Sequence, residues 1–226
     1  MAQLSDRRYG RVALFFGVSG LWLAAAGLLG VAAARAAGTP SVNQVVAEAK
    51  AIYVNEVKGF KLSQQLTRIA SDQILLAALA RGDVAAAQAD ANAQLHAPIE
   101  HYAHVTRISV LQGSRVVVNA TINGDGVFVV AAGRRVLRWR GRVLGTLLVS
   151  LQDVTGFVKL VDHITGAEAL VRGSSGNVRT SLPPADRVRL PASGAVTIAG
   201  RAYLVKSFTE TGWGNETLTV WVLVAT

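Results

Sequence analysis

The stretch GRRVLRWRGRVLGTLLVSLQD, residues 133–153, decides the fold class. Its branched apolar residues, interrupted at Gly141, predict two antiparallel strands, residues 134–140 and 142–151, joined by a tight turn. A hairpin of this kind is typical of a sheet with one buried face and one solvated face. This hairpin nevertheless carries five arginines within nine residues, from 134 to 142. Their role depends on the rest of the chain.

Side chains of a strand alternate between the two faces of a sheet, so these arginines divide into two groups. One face holds Arg134, Val136, Arg138 and Arg140. The other face holds Arg135, Leu137 and Trp139. We interpret the first face as solvated and the second as packed on the core, since charged stripes usually face water. Arg135 then requires either an anionic partner or a path to water.

The segment before the hairpin is predicted to be helical. Residues 42–70 repeat apolar side chains at three- and four-residue spacing, which is typical of a long amphipathic helix, and Gly59 marks a bend. The apolar stripe consists of Val45, Ala49, Ile52, Tyr53, Val57 and Phe60. Two shorter helices follow, for which Ser71 and Asp83 are the expected N-caps. We expect the stripe to pack on its own domain; a dimer seam is the alternative.

From about residue 107 the sequence changes to short apolar strands separated by glycine-containing turns. One helix is inserted among them, capped by Asp153 and ended by Gly166. No internal repeat is visible in the sequence. A long helix, short helices and then an antiparallel sheet predict an α+β fold in which the long N-terminal helix packs on the sheet.

The N-terminus predicts a membrane anchor. Residues 12–34 contain 23 residues without a charge, and as a helix they would be about 35 Å long, enough to cross a membrane. Three arginines lie between residues 7 and 11. The positive-inside rule therefore places residues 1–11 in the cytoplasm and a domain at 41–226 outside it, on a single-pass protein of the cell membrane. A signal peptide cleaved at residues 34–36 is the alternative.

Composition and charge indicate which chemical classes of binding partner the protein can have. The chain of 226 residues is 51% hydrophobic, with a mean hydropathy of +0.36 and a net charge of +9. Without residues 1–37 the net charge is +6. An exported basic domain meets anionic lipid, wall polymer or small anions rather than nucleic acid. Cysteine is absent, which excludes disulfides, thiolate catalysis and cysteine-based zinc sites.

The sequence offers little support for catalysis. It contains no H-E-x-x-H, no Walker A and no G-x-G-x-x-G motif. Asp153 and Asp162 are better interpreted as a helix cap and a helix surface charge than as an acid–base pair. We therefore predict a protein that is not an enzyme and needs no cofactor.

Four segments together resemble a known family: RISVLQGSRVVVNA (107–120), the opening hairpin, VTGFVKLVDHITGAEALVR (154–172) and GAVTIAGRAYLVKSF (194–208). They are similar to the single Cache domain, also called PDC, which is the extracytoplasmic PAS-like sensor domain of bacterial membrane receptors. The resemblance covers residues 41–225. It implies a domain that binds a small molecule, an organic acid or an amino acid, on its sheet.

The resemblance also implies how the protein would act. Members of the family pass their signal through a second membrane helix to a kinase, cyclase or chemotaxis module. This sequence reaches Thr226 at the end of its last predicted strand, without a second span or an output module. We therefore expect it to signal through a partner membrane protein or as a homodimer. A module that kept the fold, lost the ligand and holds lipid headgroups or acidic wall polymer is the alternative.

Ligand-binding residues are expected in two places. Bidentate guanidinium groups suit carboxylates, and the resemblance implies a ligand-facing arginine at the start of the hairpin's first strand. Arg135 matches that place approximately, Arg134 is its alternative, and Arg138 follows on the same strand. The second place is the segment before the first strand, residues 96–107, where the expected ligand-binding residues are Tyr102, His104 and Arg107.

A metal site is the rival interpretation of that second segment. Glu100, His101 and His104 would converge on an ion if the segment were helical. Pro98 and the strand that follows argue against a regular helix there. Histidines that merely lie at the surface or serve the fold are the third interpretation, so we predict no metal.

Overall fold

The first part of the chain is helical, as the apolar spacing predicts. The computed structural model describes residues 40–96, 105–122 and 128–226. Its α-helices within these ranges are α1 Val42–Lys58, α2 Phe60–Ala70, α3 Gln73–Arg81, α4 Val84–His96 and α5 Val154–Thr165. None of them is long and apolar enough to span a membrane. The predicted cytoplasmic segment 1–11 and anchor 12–34 lie outside the described residues.

The strands form two antiparallel sheets, whereas the sequence predicted one. The four-stranded sheet contains β1 Arg107–Gln112, β2 Arg115–Thr121, β3 Gly133–Trp139 and β4 Arg142–Ser150, in the order β2-β1-β4-β3. The five-stranded sheet contains β5 Glu168–Gly173, β6 Val178–Thr180, β7 Ser193–Ile198, β8 Arg201–Thr211 and β9 Thr217–Ala225, in the order β6-β5-β9-β8-β7. The predicted hairpins are confirmed, including the opening one, in which Trp139 faces Arg142.

The two sheets repeat one strand order that the sequence does not reveal. In each sheet the first hairpin lies at one edge, and its first strand also pairs with the last strand of that sheet. The last strand then pairs with the strand before it, β3 in one sheet and β8 in the other. The five-stranded sheet differs by one further strand, β7, at its edge. We call the face of each sheet that packs on helices its inner face and the opposite face its outer face.

The predicted long helix is two helices, and each packs on a different sheet. Helix α1 contacts β8, β9 and α5 of the five-stranded half, whereas α2 contacts β3 and β4 of the four-stranded half. The break lies at Gly59, whose backbone is extended and whose N–H donates to the carbonyl of Asn55 at 2.8 Å. A Cβ at this position would lie 2.2 Å from that carbonyl oxygen, so only glycine fits. Phe60, predicted to continue the buried stripe, is 79% exposed because the break turns it outward.

Helix ends follow local capping chemistry with one correction. Asp72, not Ser71, caps α3, and its Oδ1 accepts from the N–H groups of Ile74 and Leu75 at 2.8 and 3.0 Å. The predicted caps of α4 and α5 are confirmed, because Asp83 and Asp153 accept from backbone N–H groups three residues onward. An aspartate one residue later aligns its carboxylate with two free N–H groups, which is why Asp72 is the cap.

One tyrosine joins α1 to the segments that lead from one half to the other. Val129 and Val130 form isolated bridges to Asp153, after β4, and to Gly212, after β8. Beside them the hydroxyl of Tyr53 accepts from the N–H of Ala131 at 3.2 Å and donates to the carbonyl of Thr211. Burial raises the pKa of Tyr53 from 10.0 to about 12. The hydroxyl thus satisfies two backbone groups where the halves meet.

Candidate functional site

The outer face of the four-stranded sheet is buried at one end and open at the other. Paired residues of neighbouring strands share a face, and the row Asn119, Ser109, Leu148 and Arg134 therefore lies across all four strands on this side. Ser109 is only 2% exposed, and Ser150 in the adjacent row is fully buried. Buried hydroxyls on a face that packs on no described helix mark this end as the candidate site.

Arg107 is the central cation of this end. It opens β1 and shares the outer face with Ser109 and Ser150, because Arg107 pairs with Ser150 across the sheet. Its Nε donates to Oδ1 of Asn119 at 3.1 Å. Its guanidinium carbon lies 4.4 Å from the centre of the Trp213 ring, a cation–π stack. These two contacts fix the plane of the guanidinium group.

Asn119 is oriented by two donors. Its Oδ1 accepts from Nε of Arg107 at 3.1 Å and from the hydroxyl of Ser109 at 2.9 Å. Because these two bonds orient the oxygen, the amide nitrogen points away from Arg107 and Ser109. This nitrogen is a donor without a partner among the described residues. The backbone of Asn119 is itself clamped by Gln88 of α4, through bonds of 2.9 and 3.1 Å. The donor is therefore held rigidly.

The turn after β8 completes the site from the other half. Trp213–Asn215 is a short 3-10 turn of the five-stranded half that contacts the four-stranded sheet twice. Trp213 stacks on Arg107, and Oδ1 of Asn215 accepts from Nη2 of Arg134 at 3.3 Å. The site therefore draws its side chains from both sheets.

The other arginines predicted to bind a ligand lie elsewhere. Arg135 is on the helix-facing side as predicted, but at the edge strand its side chain reaches the surface and donates to the hydroxyl of Thr67 on α2 at 2.5 Å. Arg138 is exposed on the open end of the outer face, beyond Val136 along β3. Neither side chain lies beside the Asn119 and Trp213 groups that contact Arg107.

Tyr102 and His104, the remaining predicted ligand-binding residues, lie outside the described residues, as do Glu100 and His101 of the alternative metal site. They precede Arg107 directly in sequence. Within the described ranges no cluster of three or more histidine, cysteine, aspartate or glutamate side chains is placed to hold a metal ion. The site as described is therefore built from a guanidinium group, an amide, hydroxyls and an indole.

Sequence reasoning missed Ser109, Asn119 and Trp213. The first two had a local indication, since both strands of the first hairpin alternate polar and apolar residues near the end that contains Arg107. Trp213 had none, because the contact joins segments far apart in the chain. Only the packing of the two halves brings its ring to Arg107.

The outer face of the five-stranded sheet is filled instead. Leu170, Tyr203, Val205 and Leu223 form an apolar cluster there that is closed by Ala185 and Leu190 of the 181–192 loop. The indole N–H of Trp221 donates to the carbonyl of Pro191 at 3.0 Å and ties the loop down. Apolar side chains and the loop therefore cover this face.

Several solved structures are similar to this chain. The periplasmic domain of LuxQ from Vibrio cholerae matches with a TM-score of 0.51 at 10% identity, over 82% of this chain and 100% of that domain. The sensory domain of the Campylobacter jejuni chemoreceptor Tlp3 with isoleucine bound has a TM-score of 0.42 at 6% identity, covering 93% and 98%. The ligand-binding domain of the Pseudomonas fluorescens chemoreceptor CtaA, in complex with L-alanine, has a TM-score of 0.39 at 9% identity, covering 81% and 96%.

The likeness to LuxQ establishes the fold. The chain has the fold of a periplasmic sensor domain, and the resemblance predicted from its sequence is confirmed at that level. No protein-family model matches the sequence, and no curated protein does so. At 10% identity the likeness assigns neither a ligand nor a partner to this chain.

Proposed function

We propose that this protein is an extracytoplasmic sensor module that binds a small solute carrying a carboxylate, an organic acid or an amino acid, at Arg107. The observation that carries the proposal is the set of buried polar side chains on the outer face of the four-stranded sheet. Ser109 and Arg107 both donate to Oδ1 of Asn119, and the guanidinium group of Arg107 stacks on Trp213. Burying polar groups costs free energy unless they are hydrogen-bonded, so a polar centre on a sheet face suggests a binding role.

The chemistry of the site favours a planar anion. A guanidinium group binds a carboxylate through two parallel hydrogen bonds, and the bond to Asn119 and the stack on Trp213 orient the guanidinium group of Arg107. The amide nitrogen of Asn119 adds a neutral donor beside it. Trp213 offers an apolar surface for the rest of the solute. Tyr102 and His104, which precede Arg107 in sequence, remain proposed ligand-binding residues.

The contact between Trp213 and Arg107 suggests how binding would be transmitted. The Trp213–Asn215 turn connects β8 to β9, so a solute that moves Arg107 acts directly on the last hairpin of the five-stranded sheet. We propose that residues 12–34 anchor the protein in the cell membrane, with residues 1–11 in the cytoplasm. The response then passes to a partner membrane protein or to a second copy of the chain.

A thermal-shift screen of the full-length protein in mild detergent tests this function. The panel contains organic acids, amino acids and neutral sugars. A solute at 100 times its dissociation constant stabilises the folded state by about 2.7 kcal/mol, which is a readily measured rise in melting temperature. We expect one class of carboxylate to produce this rise and the sugars to produce none. No rise with any solute would overturn the proposal.

Three variants place the site. Arg107→Gln removes the charge at the buried end and should abolish the shift. Arg179→Gln is the matched control, because Arg179 is exposed on β6 and bonds only the neighbouring Val178 carbonyl among described residues. Arg135→Gln tests the arginine that the sequence favoured. Loss of the shift in Arg135→Gln alone would move the site to the α2 side of the sheet.

A further inference from the structure

The positive charge of the described domain is concentrated in the four-stranded half. Residues 105–122 and 128–152 contain seven arginines, no lysine and no acidic residue. Residues 153–226 contain seven basic and six acidic residues, and residues 41–96 contain five of each. Asp125 is the one acidic residue between 105 and 152, and it lies outside the described residues. The net charge of the folded part thus belongs to one sheet.

Six of these arginines are exposed and form no ion pair with another described residue. The six beyond Arg107 are all exposed, namely Arg115, Arg134, Arg135, Arg138, Arg140 and Arg142. The one ion pair between described residues is Arg187 with Asp186, at 3.9 Å, in the other half. A group of like charges without counter-charges among the described residues around it raises the local positive potential and attracts an external anion.

Exposed apolar side chains lie near these arginines at the hairpin end of the sheet, on its outer face. Val116, Val136 and Val143 are 53%, 49% and 53% exposed. Beside them, between the two hairpin turns and α3, is a depression of about 330 Å³. Its lining includes Leu79, Gln112, Arg142, Val143 and Leu144. The surface therefore combines exposed valines, a recess large enough for one side chain or more, and surrounding arginines.

We propose that this open end, the arginine–valine surface, docks a protein partner through an acidic segment that carries apolar anchor side chains. Carboxylates would meet the arginines while an apolar side chain packs on the exposed valines beside the recess, a combination of apolar anchor and polar rim that dominates many interfaces. A second copy of this chain is a poor occupant, since symmetric pairing through this surface sets arginines against arginines.

Binding of defined acidic polymers to the full-length protein tests this surface. The probes are a fluorescent random copolymer of glutamate and leucine, poly-L-glutamate of the same length, inorganic polyphosphate, and phosphatidylglycerol vesicles. Apolar anchors should make the copolymer bind at least about 10-fold tighter than poly-L-glutamate at physiological salt. Equal binding of the copolymer and either simple polyanion, tightest binding to vesicles, or no binding would each overturn the proposal.

Charge reversal localises the effect. The triple variant Arg115→Glu, Arg140→Glu, Arg142→Glu should weaken copolymer binding by about 10-fold or more. Its control, Arg179→Glu, Arg189→Glu, Arg201→Glu, makes the same change in net charge on exposed residues of the five-stranded half and should change binding by less than about 2-fold. Unchanged binding in the first variant would mean that the arginines only protect an edge strand from aggregation.

The apolar contribution is tested separately. Val136→Ser with Val143→Ser should remove the advantage of the copolymer while leaving binding of poly-L-glutamate unchanged. If the double variant still binds the copolymer more tightly than poly-L-glutamate, the proposed apolar contact with these valines is wrong. None of these variants changes Arg107, so the solute-induced rise in melting temperature should persist in all of them. The solute-binding proposal and the partner-docking proposal can therefore fail independently.

Discussion

The two sheets share a strand order but use their outer faces in opposite ways. The five-stranded sheet covers its outer face with Leu170, Tyr203 and Leu223 beneath the 181–192 loop. The four-stranded sheet buries Ser109 and Ser150 at one end of the equivalent face and exposes valines and arginines at the other. Charge follows the same division, since the acidic residues of the described strands and their loops all lie in the five-stranded half.

This difference shows that one framework serves two purposes. In the five-stranded half, apolar burial on both faces favours stability, because each buried aliphatic side chain contributes roughly 1.5–3 kcal/mol. In the four-stranded half, one end of the outer face holds polar groups that contribute less to stability, and the proposed function uses them for recognition. Sites that bind ligands are commonly drawn from the less stable parts of a fold. The following predictions test that division.

The largest expected effect is in the filled outer face. Leu223 is fully buried on it, so Leu223→Ala should lower the free energy of unfolding by about 2–5 kcal/mol, from lost burial and from the cavity left behind. Val136 lies on the open outer face of the other sheet, and Val136→Ala should change stability by no more than about 0.5 kcal/mol. Urea denaturation measures both. Similar losses for the two variants would abolish the distinction between the faces.

The connection between the halves is tested at Tyr53. Tyr53→Phe leaves the Ala131 N–H and the Thr211 carbonyl without their partner, which should cost about 1–3 kcal/mol. Chemical denaturation at neutral pH measures the loss. A variant as stable as the parent would show that these two backbone groups find other partners and that Tyr53 does not join the halves.

The same residue predicts a pH dependence. Because burial raises the pKa of Tyr53 from 10.0 to about 12, the folded state holds this proton more tightly than the unfolded state. The resulting stability is fully present below pH 10.0 and is lost as the pH rises through about 12. Stability measured across this window should fall more steeply for the parent than for Tyr53→Phe. Parallel curves would contradict the assignment.

A smaller difference in stability is expected when the helix N-caps of the two halves are removed. Asp72→Ala and Asp153→Ala each remove an N-cap, at a cost of about 0.5–2 kcal/mol. Asp72 also accepts from Nε2 of Gln94 at 2.6 Å, whereas Asp153 makes no second side-chain bond among the described residues. Asp72→Ala should therefore be the more destabilising in thermal melts. The reverse order would mean that the bond to Gln94 adds nothing to stability.

Local features of this fold were predictable from the sequence, and long-range ones were not. Tight turns such as Arg140-Gly141 are encoded by neighbouring residues, so the hairpins were predicted correctly. The pairing of β1 with β4 and of β5 with β9 depends on tertiary packing, which is why two sheets were taken for one. The sequence predicted a bend at Gly59. It did not predict that the helices before and after this residue pack on different sheets.

The candidate site shows the same limit. Strand alternation placed Arg135 on the correct face, yet β3 is an edge strand and the side chain leaves the core toward Thr67. Arg107 was predicted, whereas its partners Asn119 and Trp213 were missed, because one pairs across a hairpin and the other arrives from a distant turn. A sequence pattern gives the face of a residue more readily than its neighbours.

The most direct test of the central claim compares a carboxylate solute with its uncharged amide. The acid found in the thermal-shift screen and its amide are titrated by calorimetry into the parent protein and into Arg107→Gln, which forms a double-mutant cycle between the ligand and the side chain. The account predicts that the parent prefers the acid by about 10-fold or more, since a charge-assisted bidentate bond contributes at least about 1.4 kcal/mol, and that Arg107→Gln shows almost no preference. An equal preference in both proteins would contradict the account and place the carboxylate away from Arg107.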